Sequence, residues 1–138
     1  MATKLVTLTQ IRDAQEVIRK RLHRTQISRS TYLSDQLGVE LYFKLELFQK
    51  TGSFKPRGVL NKLHHLTKEE RIRGVVSVSS GNHAQALAYA ASSSGIPSTI
   101  VMPSGSVQSK VEATKNYGGE IVFTDSDLLK TVQLVQKE

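Results

Sequence analysis

The residues of this 138-residue chain with the clearest chemical potential lie in Lys44-Leu45-Glu46-Leu47-Phe48-Gln49-Lys50-Thr51-Gly52-Ser53-Phe54-Lys55-Pro56-Arg57-Gly58. Lys55 stands where an extended segment gives way to a helix. A lysine in a first helical turn meets the positive end of the helix dipole, and Arg57, two residues on, brings a second cation; both disfavour a charged amine. An amine that is neutral part of the time condenses with aldehydes, as Schiff-base lysines do. The same spacing also suits a solvated lysine at an ordinary helix start. A second group, Ser79-Ser80-Gly81-Asn82-His83, combines hydroxyls, an amide and an imidazole where a strand ends and a helix begins. Free amides at such a helix start, with the dipole behind them, suit an anion such as a carboxylate, and Gly81 permits close approach of a ligand to the backbone. A crossover helix with no ligand fits that segment equally well.

The elements that must hold these groups are legible from periodicity. Leu41, Phe43 and Leu45 alternate with Tyr42, Lys44 and Glu46, which predicts a strand running toward Gly52-Ser53. Val59, Leu60, Leu63 and Leu66 then mark one side of a helix, with Ser53 as its expected cap and Pro56 tolerated in its first turn. Upstream, Thr7-Leu8-Thr9-Gln10 forms a capping box, with Val6 and Ile11 placed as a hydrophobic staple. Ile11, Ala14, Ile18 and Leu22 follow at helical spacing and require a larger surface to dock on. Residues 28–36 read as loop plus a short helical turn, and Gly38 leads into the strand.

Downstream, Thr67-Lys68-Glu69-Glu70 forms a second capping box, and Val75-Val76-Ser77-Val78 reads as a buried strand. A helix over 82–94, a strand over 98–102, a helix over 107–117 and a strand over 120–124 follow, with Asp125 or Ser126 capping a last helix. Small residues Ala84, Ala86, Ala88, Ala90 and Ala91 predict tight packing of helix on sheet. This alternation predicts an α/β fold: a parallel, doubly wound sheet with flanking helices in three layers.

Composition excludes several functions. The chain has no cysteine, so it carries no disulfide, thiolate metal site or cysteine nucleophile. No run of about 18 apolar residues could cross a bilayer, and no signal-peptide pattern opens the chain, which predicts a cytoplasmic protein without membrane contact. The formal charge of +7 is spread along the chain. Its one dense cluster, Arg19-Lys20-Arg21 with Arg24, lacks interleaved aromatic residues and suits a helix end, so nucleic acid is not an expected partner. Adjacent His64 and His65 cannot both face one metal from a helix, and no metal site is expected.

The motifs Lys44-Leu45-Glu46, Ser53-Phe54-Lys55-Pro56-Arg57-Gly58 and Ser79-Ser80-Gly81-Asn82-His83-Ala84-Gln85-Ala86 resemble the fold-type II pyridoxal-phosphate enzymes, in the branch of threonine and serine dehydratases and serine racemases. Arg21-Leu22-His23-Arg24-Thr25-Gln26 follows the family's His-Arg-Thr-Pro segment with Gln26 in place of proline. The resemblance implies that Lys55 holds pyridoxal 5'-phosphate covalently and then removes the Cα proton of the substrate. It implies that Asn82 bonds the cofactor's ring hydroxyl and that Phe54 packs beside the ring. Ser79, Asn82 and His83 match the loop that takes the substrate carboxylate, and Ser80 matches the serine that acts on the opposite face in racemases. The implied activity is β-elimination of L-threonine or L-serine to a 2-oxo acid and ammonia.

The resemblance also implies that residues 1–52 belong to the family's large domain and residues 53–138 to its small α/β domain, shortened here. The glycine-rich phosphate loop and the group that bonds the pyridine nitrogen have no counterpart in this chain. The expectation is therefore an incomplete, inactive N-terminal part that works as a homo-oligomer or with a complementing C-terminal half. The alternatives are a non-catalytic interaction or regulatory fragment pairing through its apolar helix, and serine racemase activity in the complete protein.

Overall fold

A computed structural model describes residues 5–125 of the chain. The first helix, α1 (Leu8–Ile18), opens as its sequence dictates: Thr7 Oγ1 accepts from the Gln10 amide at 3.3 Å, and Gln10 Oε1 accepts from the Thr7 amide at 2.9 Å. Val6 and Ile11 both remain exposed, so the staple buries neither. The apolar face of α1 finds its partner at its C-terminal end. Ile18 and Leu22 pack into a cluster with Val59, Leu60 and Leu63 of α3 (Lys55–His64) and Ala86, Leu87 and Ala90 of α5 (Asn82–Ser92).

Between these helices lies a pairing that the sequence did not announce. Strand β1 (Ile27–Arg29) runs antiparallel to β2 (Tyr42–Lys44), with Ile27 opposite Lys44, and α2 (Thr31–Leu37) connects them. Ser28 and Arg29 are thus strand where loop was expected. Every residue of both strands is exposed, so no buried alternation marks them. Beyond Lys44 the strand stops, because Glu46–Phe48 form a 3-10 turn. Gly38, with φ at 65°, ends α2 in the left-handed conformation open to glycine.

The second capping box starts α4 (Lys68–Arg73), where the Glu70 amide donates to Thr67 Oγ1 at 3.2 Å and the Thr67 amide to Glu70 Oε2 at 2.8 Å. Three parallel strands follow, β3 (Val75–Val78), β4 (Ser98–Pro103) and β5 (Glu120–Thr124), hydrogen-bonded in that order. Helices α5 and α6 (Gln108–Asn116) connect them and share one face: Ala84, Ala88 and Val111 pack with Ile100, Met102 and Ile121. Ala84 and Ala88 let α5 sit close to the sheet, whereas Ala86, Ala90 and Ala91 pack in the cluster it shares with α1 and α3.

Among the described residues the strand order has no reversal, and the helices cover one face of the sheet. Val76 and Val122, on the other face, are consequently exposed, although the Val75-Val76-Ser77-Val78 run predicted full burial. The second helical layer of a doubly wound sheet does not fall among these residues, and the expected last helix also lies outside them.

Candidate active site

Lys55 is the first residue of α3, as its spacing predicted, and Pro56 follows inside the first turn. The cap is different. Phe54 occupies the N-cap with helical backbone angles and makes no side-chain cap bond, while the Ser53 hydroxyl is buried without a hydrogen-bond partner. The turn before it explains the change. The amides of Thr51 and Gly52 both donate to the Gln49 carbonyl, at 3.1 and 2.8 Å, and this curl carries Ser53 inward instead of over the helix end. The Lys55 side chain stays exposed, with Nζ 5.2 Å from the centre of the Phe54 ring, within cation–π range.

Arg57 does not direct its charge at Lys55. Its Nε and Nη2 donate to Glu46 Oε2 and Oε1 at 2.8 and 2.7 Å, a two-pronged ion pair that answers the cation locally. Glu46 also accepts from Thr25 Oγ1, and Lys44 Nζ donates to the Thr25 carbonyl. The Arg57 guanidinium, with smaller help from Thr25 and Lys44, holds the Glu46 carboxyl below its ordinary range against the opposing effect of burial. Gln49 completes the fastening: its Nε2 donates to the His23 carbonyl at 2.9 Å and its Oε1 accepts from the His23 amide at 3.0 Å. Sequence reasoning missed Glu46, Gln49 and Thr25, since nothing in their local spacing announces partners more than ten residues away.

The second group sits at the C-terminal end of β3. The Ser79 amide continues the ladder to the Val101 carbonyl at 3.1 Å, and Ser79 Oγ accepts from the Gly81 amide at 3.3 Å. Helix α5 then begins at Asn82 without a side-chain cap on its first amides. Lys110 Nζ, from α6, donates to Asn82 Oδ1 at 3.3 Å and adds a cation beside that helix start. A Cβ at Gly81 would meet nothing within 4 Å, so the backbone here borders open space.

His83 joins the two groups. It lines a cavity of about 530 Å³ together with Phe54, Lys55 and Ser77, over an apolar floor that includes Val59, Leu63 and Leu87. Burial first, and the Lys55 ammonium second, lower the His83 pKa below the ordinary histidine value. Phe54, Lys55 and His83 therefore share one wall. Ser79 and half-buried Ser80 stand in the adjoining loop, exposed Asn82 opens α5, and none of the three lines that cavity.

A model of the family described as "Pyridoxal-phosphate dependent enzyme" matches residues 18–138. The chain belongs to that family. Among curated members, the L-threonine ammonia-lyase of Thermotoga maritima is 49% identical over 119 residues, covering 86% of this chain and 30% of that protein. The serine racemase of Schizosaccharomyces pombe is 43% identical over 121 residues, covering 88% of this chain and 38% of that protein. Among solved structures, maize serine racemase superposes with a TM-score of 0.86 at 42% identity, over 97% of this chain and 42% of that one. The chain thus spans less than half the length of each.

The donor set fits the aldehyde and carboxylate ends of a family ligand. An accessible amine stands beside a cavity, and uncapped amides border open space one loop away. Among the described residues no helix is long and apolar enough to cross a membrane, and no three His, Cys, Asp or Glu side chains gather as a metal site.

Proposed function

We propose that the protein to which this chain contributes catalyses β-elimination of L-threonine or L-serine, giving a 2-oxo acid and ammonia with pyridoxal phosphate as cofactor. The observation that carries this reading is that Lys55 and His83 face one cavity beside the uncapped start of α5. Lys55 would hold the cofactor through Nζ, with the Phe54 ring beside it and the Asn82 amide toward its ring hydroxyl. When bound, pyridoxal phosphate supplies an electron sink for the pair left behind at Cα. The α5 amides, with Ser79, Asn82 and His83, would orient the substrate carboxylate. Once the substrate amine displaces it from the cofactor, the freed Lys55 Nζ would take the Cα proton, and the β-hydroxyl would depart as water. Water returns in the final hydrolysis, so threonine gives 2-oxobutanoate and ammonia, and serine gives pyruvate and ammonia.

The activity belongs to the whole protein, of which residues 1–52 and 53–138 would form parts of the large and small domains. A complementing C-terminal portion, or a second copy in a homo-oligomer, would complete the site. Similarity to the racemases of Schizosaccharomyces pombe and maize supports a second reading, in which half-buried Ser80 returns a proton to the opposite face of Cα. The test is borohydride trapping of pyridoxal phosphate on the chain with peptide mapping, beside Lys55→Ala. The complete protein is then assayed with L-threonine and L-serine for 2-oxo acids and for D-serine. Trapping at Lys55 and 2-oxo acid formation support elimination, D-serine as the sole product supports racemisation, and trapping that ignores Lys55 overturns both.

A further inference from the structure

We propose that the Glu46–Arg57 ion pair is a positioning device for Lys55, closing residues 46–57 into a loop fastened to the His23 backbone and the Thr25 hydroxyl. The inference rests on the proposed function in one respect, that Lys55 is the reactive amine. The first turn of α3 lacks the usual means of being held, because Phe54 provides no side-chain cap and the hydroxyls of Thr51 and Ser53 are buried without partners. What holds it is remote in sequence. Arg57, two residues after Lys55, grips Glu46 through both oxygens, and its Nη2 also reaches the His23 carbonyl at 3.4 Å.

Glu46 is in turn fixed by Thr25 Oγ1, and Gln49 bonds both backbone groups of His23. Lys55 is therefore carried on a segment anchored on both sides, by Glu46 and Gln49 before it and by Arg57 after it. A guanidinium is suited to this because its planar fork fixes direction as well as distance, whereas an ammonium would fix distance alone. Both side chains of the pair are mostly buried, at 30% and 15% exposure, so water competes weakly for either partner.

The test compares Arg57→Gln, Arg57→Lys and Glu46→Gln with Arg71→Gln. Arg71 donates to the Leu63 carbonyl in the last turn of α3, at the opposite end from Lys55, and to the Ser94 carbonyl, so its loss is expected to destabilise without loosening the first turn. Each chain is treated with pyridoxal phosphate, reduced with borohydride well below its unfolding temperature, and mapped for the share of label on each lysine. The expected result is a fall of about tenfold or more in the Lys55 share for all three clasp variants. Arg57→Lys should behave like Arg57→Gln, and Arg71→Gln should keep the wild-type pattern at a similar loss of Tm. Equal selectivity in wild type and clasp variants overturns the inference while leaving Lys55 as the reactive amine. Parallel losses in the clasp variants and Arg71→Gln overturn it as well. Wild-type chain without selective label at Lys55 overturns the proposed function itself. Should Arg57→Gln fail to fold, the milder Glu46→Gln and Arg57→Lys carry the same comparison.

Discussion

The Lys55 ammonium and the His83 imidazole face the same cavity, and the lysine adds to burial in keeping the histidine neutral. The other charged groups on that wall, Arg57 and Lys62, are cations as well, so nothing on it favours an imidazolium. Residues 28 positions apart in the chain are thereby coupled electrically before any ligand arrives.

That coupling is measurable by NMR titration of His83. Its midpoint is expected below the ordinary histidine value. Lys55→Ala should raise the midpoint only part of the way, because burial is the larger cause. In the unfolded chain His83 takes its proton at the ordinary value, so the unfolded state binds more protons between the two midpoints. Stability should therefore fall as pH drops through the ordinary histidine range and into the folded midpoint, and His83→Gln should flatten that part of the profile.

Glu46 gives a dependence of the same sign at lower pH. Its carboxyl is held below the ordinary range chiefly by Arg57, so the pair's stabilisation is complete above the unfolded glutamate value and is lost as pH falls through the folded one. Glu46→Gln should cost about 1–3 kcal/mol near neutrality, leaving Arg57 short of its charged acceptor. Urea unfolding at a series of pH values checks both points: the deficit of the variant should shrink toward zero in acid.

The two groups responsible for these effects differ in how visible they are in the sequence. The loop Ser79-Ser80-Gly81-Asn82-His83 and the position of Lys55 follow from local periodicity, as do both capping boxes and the β3–α5–β4–α6–β5 run, because each depends on residues a few places apart. The Glu46–Arg57 clasp spans eleven residues, with a 3-10 turn between, and no local pattern encodes it. The partner of β2 is hidden for a related reason: the alternation over residues 41–46 marks β2, but β1 is a three-residue exposed strand that buries no face, so nothing in Ile27–Arg29 announces the pairing. Ser53 misled because a hydroxyl near a helix start satisfies the capping pattern whichever way the chain curls, and the Gln49–Gly52 turn decides that direction.

The join of α6 and β5 should be intolerant of a single methyl group. A Cβ at Gly119 would lie 2.7 Å from Ile100 Cδ1 and 2.9 Å from Ala88 Cβ, inside the cluster that seats α5 on the sheet. Ile100 can yield at its flexible end, but Ala88 has no rotamer to change. Gly119→Ala is expected to cost about 1–3 kcal/mol by overpacking, read from the urea midpoint at unchanged m-value.

Gly81→Ala poses the opposite case and separates stability from ligand binding. Gly81 has a negative φ, and a Cβ there would point into open space, so nothing within the described chain requires glycine. Alanine is a poorer N-cap residue than glycine, but the change should stay within about 1 kcal/mol in urea unfolding. If the start of α5 receives the substrate carboxylate, the added methyl enters the space through which that group approaches. The reduced conjugate of pyridoxal phosphate with L-serine is the probe, titrated against the amide signals of Asn82 and His83. Wild type should show saturable shifts at both amides, and Gly81→Ala should bind about tenfold or more weakly at nearly unchanged stability. Equal affinity in the two proteins would place the carboxylate elsewhere, and with it the roles proposed for Ser79, Asn82 and His83.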